Sequence, residues 1–333
     1  MKVKETVAFT KAATNVFFHI LTGCNLRCRH CYINRAQHGE NLLELSVIES
    51  WLKALAGRSR QANVIFLGGE PTLHPKLAAA VRAARRLGYK SVTVDTNGYL
   101  FHDILDKVEP EEVDFFSFSL DGATPETNDA LRGKGCFAAC TDGIRRAVRR
   151  GFSTSLIYTV SAANIHELTQ MPPLLKDLGI ERFFIQVIGI RGKSAADPDT
   201  RQISRKEWLR VIPEAAQSAA EVGIPVTYPK VFLEPEETFD CAGVCADNFF
   251  IFPNGRVYRC PLCEDFPIHG MVFEGDRLVE KGPLNETDFF RLEIPEGCVM
   301  NKLVQPGNLS YLPDGAPEYR VACCMLKEEV RPA

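Results

Sequence analysis

No stretch of this sequence reaches the roughly 18 consecutive apolar residues of a membrane span. The N-terminal MKVKETVAFTKAATNVFFHIL holds only a short apolar run, and NVFFHIL is strand length, so no secretory signal is present. Strong charge of either sign is also missing, with a net charge of −3. Lys and Arg are scattered, and the one denser run, Arg145, Arg146, Arg149 and Arg150, has the spacing of a solvated helix face. There is no internal repeat and no low-complexity segment. These absences exclude a membrane protein, a nucleic-acid binder and a repeat array, and the expected location is the cytoplasm.

What is present is cysteine. The chain has 333 residues, 45% of them hydrophobic and 24% charged, which is ordinary, but it has 12 cysteines. A reducing compartment disfavours disulfides, so clustered thiols there point to metal. The length suggests roughly two domains, or one large barrel with an appendage.

Residues 15–190 alternate strand-like and helix-like stretches. NVFFHIL (15–21), NVIFL (63–67), SVTVDT (91–96), DFFSFSL (114–120), STSLIYTV (153–160) and RFFIQVI (182–188) read as strands buried on both faces, as in a parallel sheet. Helices are expected near 44–57, 74–88, 137–150 and 164–178, the first two closed by glycine. A complete eightfold barrel needs about 250 residues, so the α/β fold expected is a partial (β/α)6 TIM-like barrel with functional residues at the C-terminal strand ends. Residues 191–240 read as a polar connecting segment with a helix near 204–222. From 241 to 330 a small, loop-rich, cysteine-rich metal-binding domain is expected, with seven of the 12 cysteines.

CNLRCRHCY places Cys24, Cys28 and Cys31 at C-x3-C-x2-C, directly after the first strand. Three thiolates ligate three irons of a cubic 4Fe–4S cluster, and complete cysteine ligation takes four. The fourth iron stays open to a ligand from outside the protein. The alternative is a structural zinc site with His30 as fourth ligand. GGEP, TNG and SLDG each follow a later strand. Gly68 and Gly69 allow close approach to the backbone. Glu70 and Asp121 are hydrogen-bond acceptors for cationic or hydroxyl groups, and Asn97 and Ser119 are further polar side chains.

CNLRCRHCY, GGEP, SLDG and DGATPETNDALRG together resemble the radical S-adenosylmethionine (SAM) superfamily, in order over residues 15–190. The resemblance implies that SAM chelates the open iron through its amino and carboxylate groups. It places Gly68, Gly69 and Glu70 at the amino group, Ser119 and Asp121 near the ribose and Arg132 near the carboxylate. One electron from the cluster would cleave SAM to a 5′-deoxyadenosyl radical that abstracts hydrogen from a substrate. An electron donor such as flavodoxin or ferredoxin is then a partner.

Cys241, Cys245, Cys260 and Cys263 flank a hairpin-like FFIFPNGRVYRC. Cys245-x9-Gly255-x4-Cys260 resembles the opening of the SPASM and twitch domains, which hold auxiliary 4Fe–4S clusters, although the later SPASM cysteine block is absent. One auxiliary cluster is expected, on four of Cys241, Cys245, Cys260, Cys263 and Cys298, with zinc as the alternative. Cys323–Cys324 are expected to be buried core thiols, with one cluster ligand or a soft-metal site as alternatives, and the Cys136/Cys140 pair to be buried core thiols, with a metal as the alternative. The lone histidines are given no catalytic part. The Phe249–Phe250 pair is expected to pack in the core. The substrate expected from the resemblance is a peptide in a maturation pathway, with a small-molecule precursor as runner-up. A non-enzymatic iron–sulfur or zinc sensor is the alternative of another class. Only about 14 residues precede the first strand, so no leader-recognition domain is expected there.

Overall fold

A computed structural model of the chain describes residues 9, 11, 13–58, 62–197, 201–234 and 236–333. The expectation about a leader-recognition domain falls mainly on residues 1–8, outside the described residues.

The strands in chain order are β1 Thr14–His19, β2 Asn63–Leu67, β3 Ser91–Thr96, β4 Phe115–Ser119, β5 Thr154–Val160, β6 Arg182–Val187 and β7 Val226–Pro229. They continue as β8 Phe232–Leu233, β9 Asp247–Ile251, β10 Arg256–Tyr258, β11 Met271–Glu274, β12 Arg277–Glu280, β13 Arg320–Val321 and β14 Lys327–Val330. One sheet runs β12-β11-β10-β9-β1-β2-β3-β4-β5-β6-β7-β14, with β8 and β13 paired separately. β1 to β7 are parallel throughout. This is the partial α/β barrel expected, and all six expected strands form.

Two features extend it. The 191–240 segment supplies helix Arg205–Glu221 and the parallel strand β7, which adds a seventh strand to the expected six. Beyond 241 the sheet does not stop: β9 pairs in parallel with β1, from Thr14↔Asp247 to Phe18↔Ile251. The Pro253–Asn254–Gly255 hairpin forms as read, with β10 antiparallel to β9.

The strands form because Val, Ile and Phe recur along them and both faces are covered. On the outer face Phe18 stacks on Trp51 of helix Leu45–Ala56, and Trp51 stacks on Phe273 of β11. On the inner face Phe17 and His19 look into the barrel mouth. Helix Pro125–Arg132 starts at Thr124, whose hydroxyl accepts from Thr127 N, with Pro125 at the first helical position; Gly133 closes it at φ 118°. The helix expected over 164–178 is instead a 3-10 turn, Ile165–Gln170, followed by helix Met171–Leu178. Pro172 and Pro173 lack the N–H groups that would join the two, which is tolerated only in a first turn. No helix of the described residues is long and apolar enough to cross a membrane.

Candidate active site

The loop after β1 carries the three thiols and has almost no hydrogen-bonded structure of its own, so neighbours hold it. Glu70 N donates to Gly23 O at 3.0 Å and Gly69 N to Leu21 O at 3.1 Å. Arg29 N donates to Leu131 O, and Lys193 N to Cys31 O, both at 2.9 Å. The Arg29 guanidinium grips Asp197 through two bonds of 2.7 and 2.8 Å. Asn97 Nδ2 donates to Asn25 Oδ1 at 2.8 Å. The loop is thus tied to the ends of β2, β3 and β6 and to helix Pro125–Arg132.

Gly68 and Gly69 are required by this packing. A Cβ on Gly69 would run into the carbonyl oxygens of Gly23 and Thr22, and one on Gly68 would meet Leu21 O at 2.5 Å. What approaches the backbone here is the cysteine loop itself.

A cavity of about 320 Å3 opens at the C-terminal strand ends, within the range of ligand pockets. Its wall brings together Cys24, Cys28, Cys31, Gly68, Gly69, Glu70, Asn97, Ser119 and Arg132. Burial pushes the Cys24 thiol up to about 12 and raises Cys28 despite nearby Arg132. A bound metal would supply the positive charge that thiolates need here.

Glu70 is buried and its carboxylate is already occupied. Oε1 accepts from Thr72 N (3.0 Å), Thr72 Oγ1 (2.6 Å) and Thr96 Oγ1 (2.9 Å), and Oε2 from Asn97 N (2.7 Å). Burial raises its pKa against these four bonds. Its first structural task is to brace the ends of β2 and β3 against each other.

Asp121 is not on the cavity wall. It is fully buried and faces Arg132 Nε at 2.6 Å, His30 Nε2 at 3.0 Å and Thr159 N at 2.7 Å. Burial alone would raise its pKa; Arg132 and His30 outweigh that and hold it below the usual carboxylate range. Asp121 is thus an ion-pair hub that aims Arg132 and faces His30. His30 Nε2 faces this hub, while its Nδ1 is buried and has no hydrogen-bond partner among the described residues. Among the described residues, no three His, Cys, Asp or Glu side chains surround a single ion position. A cubic cluster makes no such demand, because its thiolates sit at separate corners.

Several wall residues had no sequence signal. His19 Nε2 meets Tyr32 OH at 2.7 Å, and its ring stacks 4.1 Å from Phe252. Burial lowers the His19 pKa to about 3, so the ring is neutral. Arg191 pairs with Glu264 and lies 4.8 Å over the Tyr32 ring. Phe250 packs on Phe17 at 4.4 Å, yet also faces the cavity. These contacts join residues far apart in sequence, so no local pattern marks them.

The C-terminal thiols gather around a second, small pocket of about 20 Å3 lined by Cys241, Cys260, Cys298, Cys323 and Cys324. Cys245 and Cys263 do not line it. A hydrogen bond from the Cys241 thiol lowers the pKa of Cys323, and Ala242 N donates to Cys323 Sγ at 3.5 Å. Cys323 is thus buried, as expected, but among thiols and not in a plain apolar core. Cys136 and Cys140 are buried core thiols.

A parallel partial barrel with a three-cysteine loop at its mouth defines a class of iron–sulfur proteins that handle a small cofactor inside the barrel. Residues 18–171 match the family model of the radical SAM superfamily. Such a match implies a 4Fe–4S cluster and SAM. The chain is 29% identical over 215 residues to Fe-coproporphyrin III synthase of Methanosarcina barkeri, covering 63% of this chain and 53% of the relative. It is 29% identical over 219 residues to pre-heme d1 synthase of Dinoroseobacter shibae, covering 63% and 53%. It is 30% identical over 164 residues to a probable GTP 3′,8-cyclase of Saccharolobus islandicus, covering 49% and 53%. The chain spans about half the length of these curated relatives. Among solved structures, native anSMEcpe with bound AdoMet aligns with TM-score 0.58 at 16% identity, covering 88% of this chain and 82% of that one. Streptococcus suis SuiB bound to precursor peptide SuiA aligns with TM-score 0.57 at 13% identity, covering 84% and 64%. These last two likenesses describe the fold.

Proposed function

We propose that the chain is a radical SAM enzyme whose Cys24, Cys28 and Cys31 hold a 4Fe–4S cluster. The carrying observation is that these three thiols, Gly68–Glu70, Asn97, Ser119 and Arg132 share one cavity wall at the strand ends. When bound, the cluster supplies the electron that cleaves SAM. The residues do the rest. The backbone and carboxylate of Glu70 meet the SAM amino group. Arg132, held by Asp121, meets its carboxylate. The apolar wall of Phe17, Ile157, Val187 and Phe250 excludes water from the site of hydrogen abstraction.

The substrate reading is a small molecule, supported by the names of the curated relatives. A peptide is the second reading, and a precursor-peptide gene beside this one would favour it. An auxiliary 4Fe–4S cluster belongs to the second pocket, on Cys241, Cys260, Cys298 and Cys323. Its binding requires the hydrogen bond between the free Cys241 and Cys323 thiols to open. Reduced flavodoxin or ferredoxin is the proposed electron donor.

The test is anaerobic reconstitution followed by iron counting and dithionite-driven 5′-deoxyadenosine assay. Two cubic clusters give about eight irons per chain. Cys28→Ala should make no 5′-deoxyadenosine. A folded Cys260→Ala, Cys323→Ala variant should keep about four irons and still make it. Production by Cys28→Ala would sink the assignment of the first site, and full iron content in the double variant that of the second.

A further inference from the structure

One cation on the cavity wall has no task in the chemistry above. Lys327 opens β14 and pairs with Pro229, the last residue of β7, which places it at the same end of the barrel as the cysteine loop. Its side chain lines the cavity. Its Nζ is shielded from solvent and has no hydrogen-bond partner among the described residues. Burial lowers its pKa to about 7 against the opposing pull of Cys324, and the Phe9 ring lies 4.4 Å away. A cation–π contact is weaker than the hydration that a buried ammonium gives up.

The other charged groups on this wall are committed. Glu70 accepts four hydrogen bonds, Arg132 pairs with Asp121, Arg191 with Glu264, and Asp95 bonds Ser117. Lys327 is left facing a cavity that also presents Phe9, Phe17, Phe250 and Met325. A buried charge without a partner lowers stability, and such groups are kept where a ligand completes them.

We propose that Lys327 recognises a carboxylate of the substrate, which is therefore an organic acid with an apolar body. A single ammonium is a point charge that makes one strong charge-assisted bond. A phosphate site is typically built from several donors, such as a bidentate Arg or a helix N-terminus. The inference rests on the radical SAM reading of the cavity. It goes further by naming the class of substrate and the residue that selects it.

The experiment uses the reconstituted, SAM-loaded enzyme and two probes of equal shape, 4-phenylbutyrate and 4-phenylbutyramide. By calorimetry the acid should bind the wild type about 10- to 150-fold more tightly than the amide, as one charge-assisted hydrogen bond predicts. Lys327→Met should erase that preference, keep wild-type iron content and SAM affinity, and melt at the wild-type temperature or above. Equal binding of acid and amide to the wild type overturns the proposal. So does a fall in SAM affinity in Lys327→Met, which would assign the lysine to SAM, or a lower melting temperature, which would make it a brace for Phe9. Failure of the parent reading shows separately, as a wild type that makes no 5′-deoxyadenosine with dithionite.

Discussion

At the residue scale the site depends on a buried ion pair behind the cavity wall. Asp121 neutralises Arg132 in a dry interior and also faces His30 Nε2. Removing one partner of such a buried pair typically costs about 3–5 kcal/mol, because the remaining charge is left uncompensated. Asp121→Asn should lower stability by about that amount in urea unfolding at pH 7. The pH dependence has a definite sign. The folded-state pKa of Asp121 is depressed, so its contribution is complete above the unfolded carboxylate value of about 3.9. It is lost as pH falls through the folded value. The wild type should therefore lose stability on acidification below about pH 4, and Asp121→Asn should lose less. An acid limb with the same slope in both proteins would contradict the ion-pair hub.

At the element scale the cysteine-bearing turns are held by single buried side chains. Asn285 caps the 3-10 turn Glu286–Arg291, and the buried Glu286 carboxylate accepts from Arg259 N (2.6 Å), Cys260 N (3.2 Å) and Gly270 N (3.1 Å). This one group fixes the backbone of Cys260 and the start of β11 together. Glu286→Ala leaves three buried donors unpaired. With each unmet donor costing about 1–3 kcal/mol and neighbours relaxing in part, a loss of about 2–4 kcal/mol is expected. The variant should also lose iron from the second site while keeping 5′-deoxyadenosine production. Unchanged melting and full iron content would remove Glu286 from this role. The cysteine loop after β1 follows the same principle, with Arg29–Asp197 and Asn97–Asn25 replacing the ladder that it lacks.

At the scale of the whole molecule, the residues after 241 complete the barrel edge. β9 pairs along nearly all of β1, and Phe250 covers Phe17. Without β9, β1 becomes an exposed apolar edge, a template for aggregation. A fragment of residues 1–240 should therefore be insoluble on expression or melt without a cooperative transition. A soluble fragment with a sharp melt would show that the core stands alone.

The elements and the three-cysteine loop were legible in the sequence, because strand hydrophobicity, helix-ending glycines and the C-x3-C-x2-C spacing are local signals. The strand bounds at 63–67 and 91–96 agree with the structure to the residue. Local signals also placed GGEP, TNG and SLDG at strand ends. They did not say which way each side chain turns. Glu70 and Asp121 both follow strands, yet one lines the cavity and the other is buried behind it. That outcome depends on Arg132 and His30, 11 residues after Asp121 and 91 before it by the numbering of the chain. The seventh strand was obscured by a polar, Pro-rich context, and Lys327 lay in a stretch read as loop. The grouping of Cys323 with Cys241, and of Lys327 with Phe9, arises only when β14 and β9 close on opposite ends of the parallel sheet. By itself, then, the sequence determined the local elements and the donor chemistry, since each follows from neighbours along the chain. Only the tertiary structure decided which donors share a cavity and which charges are left unpaired. Burial and long-range pairing set those, and neither is a property of any short segment.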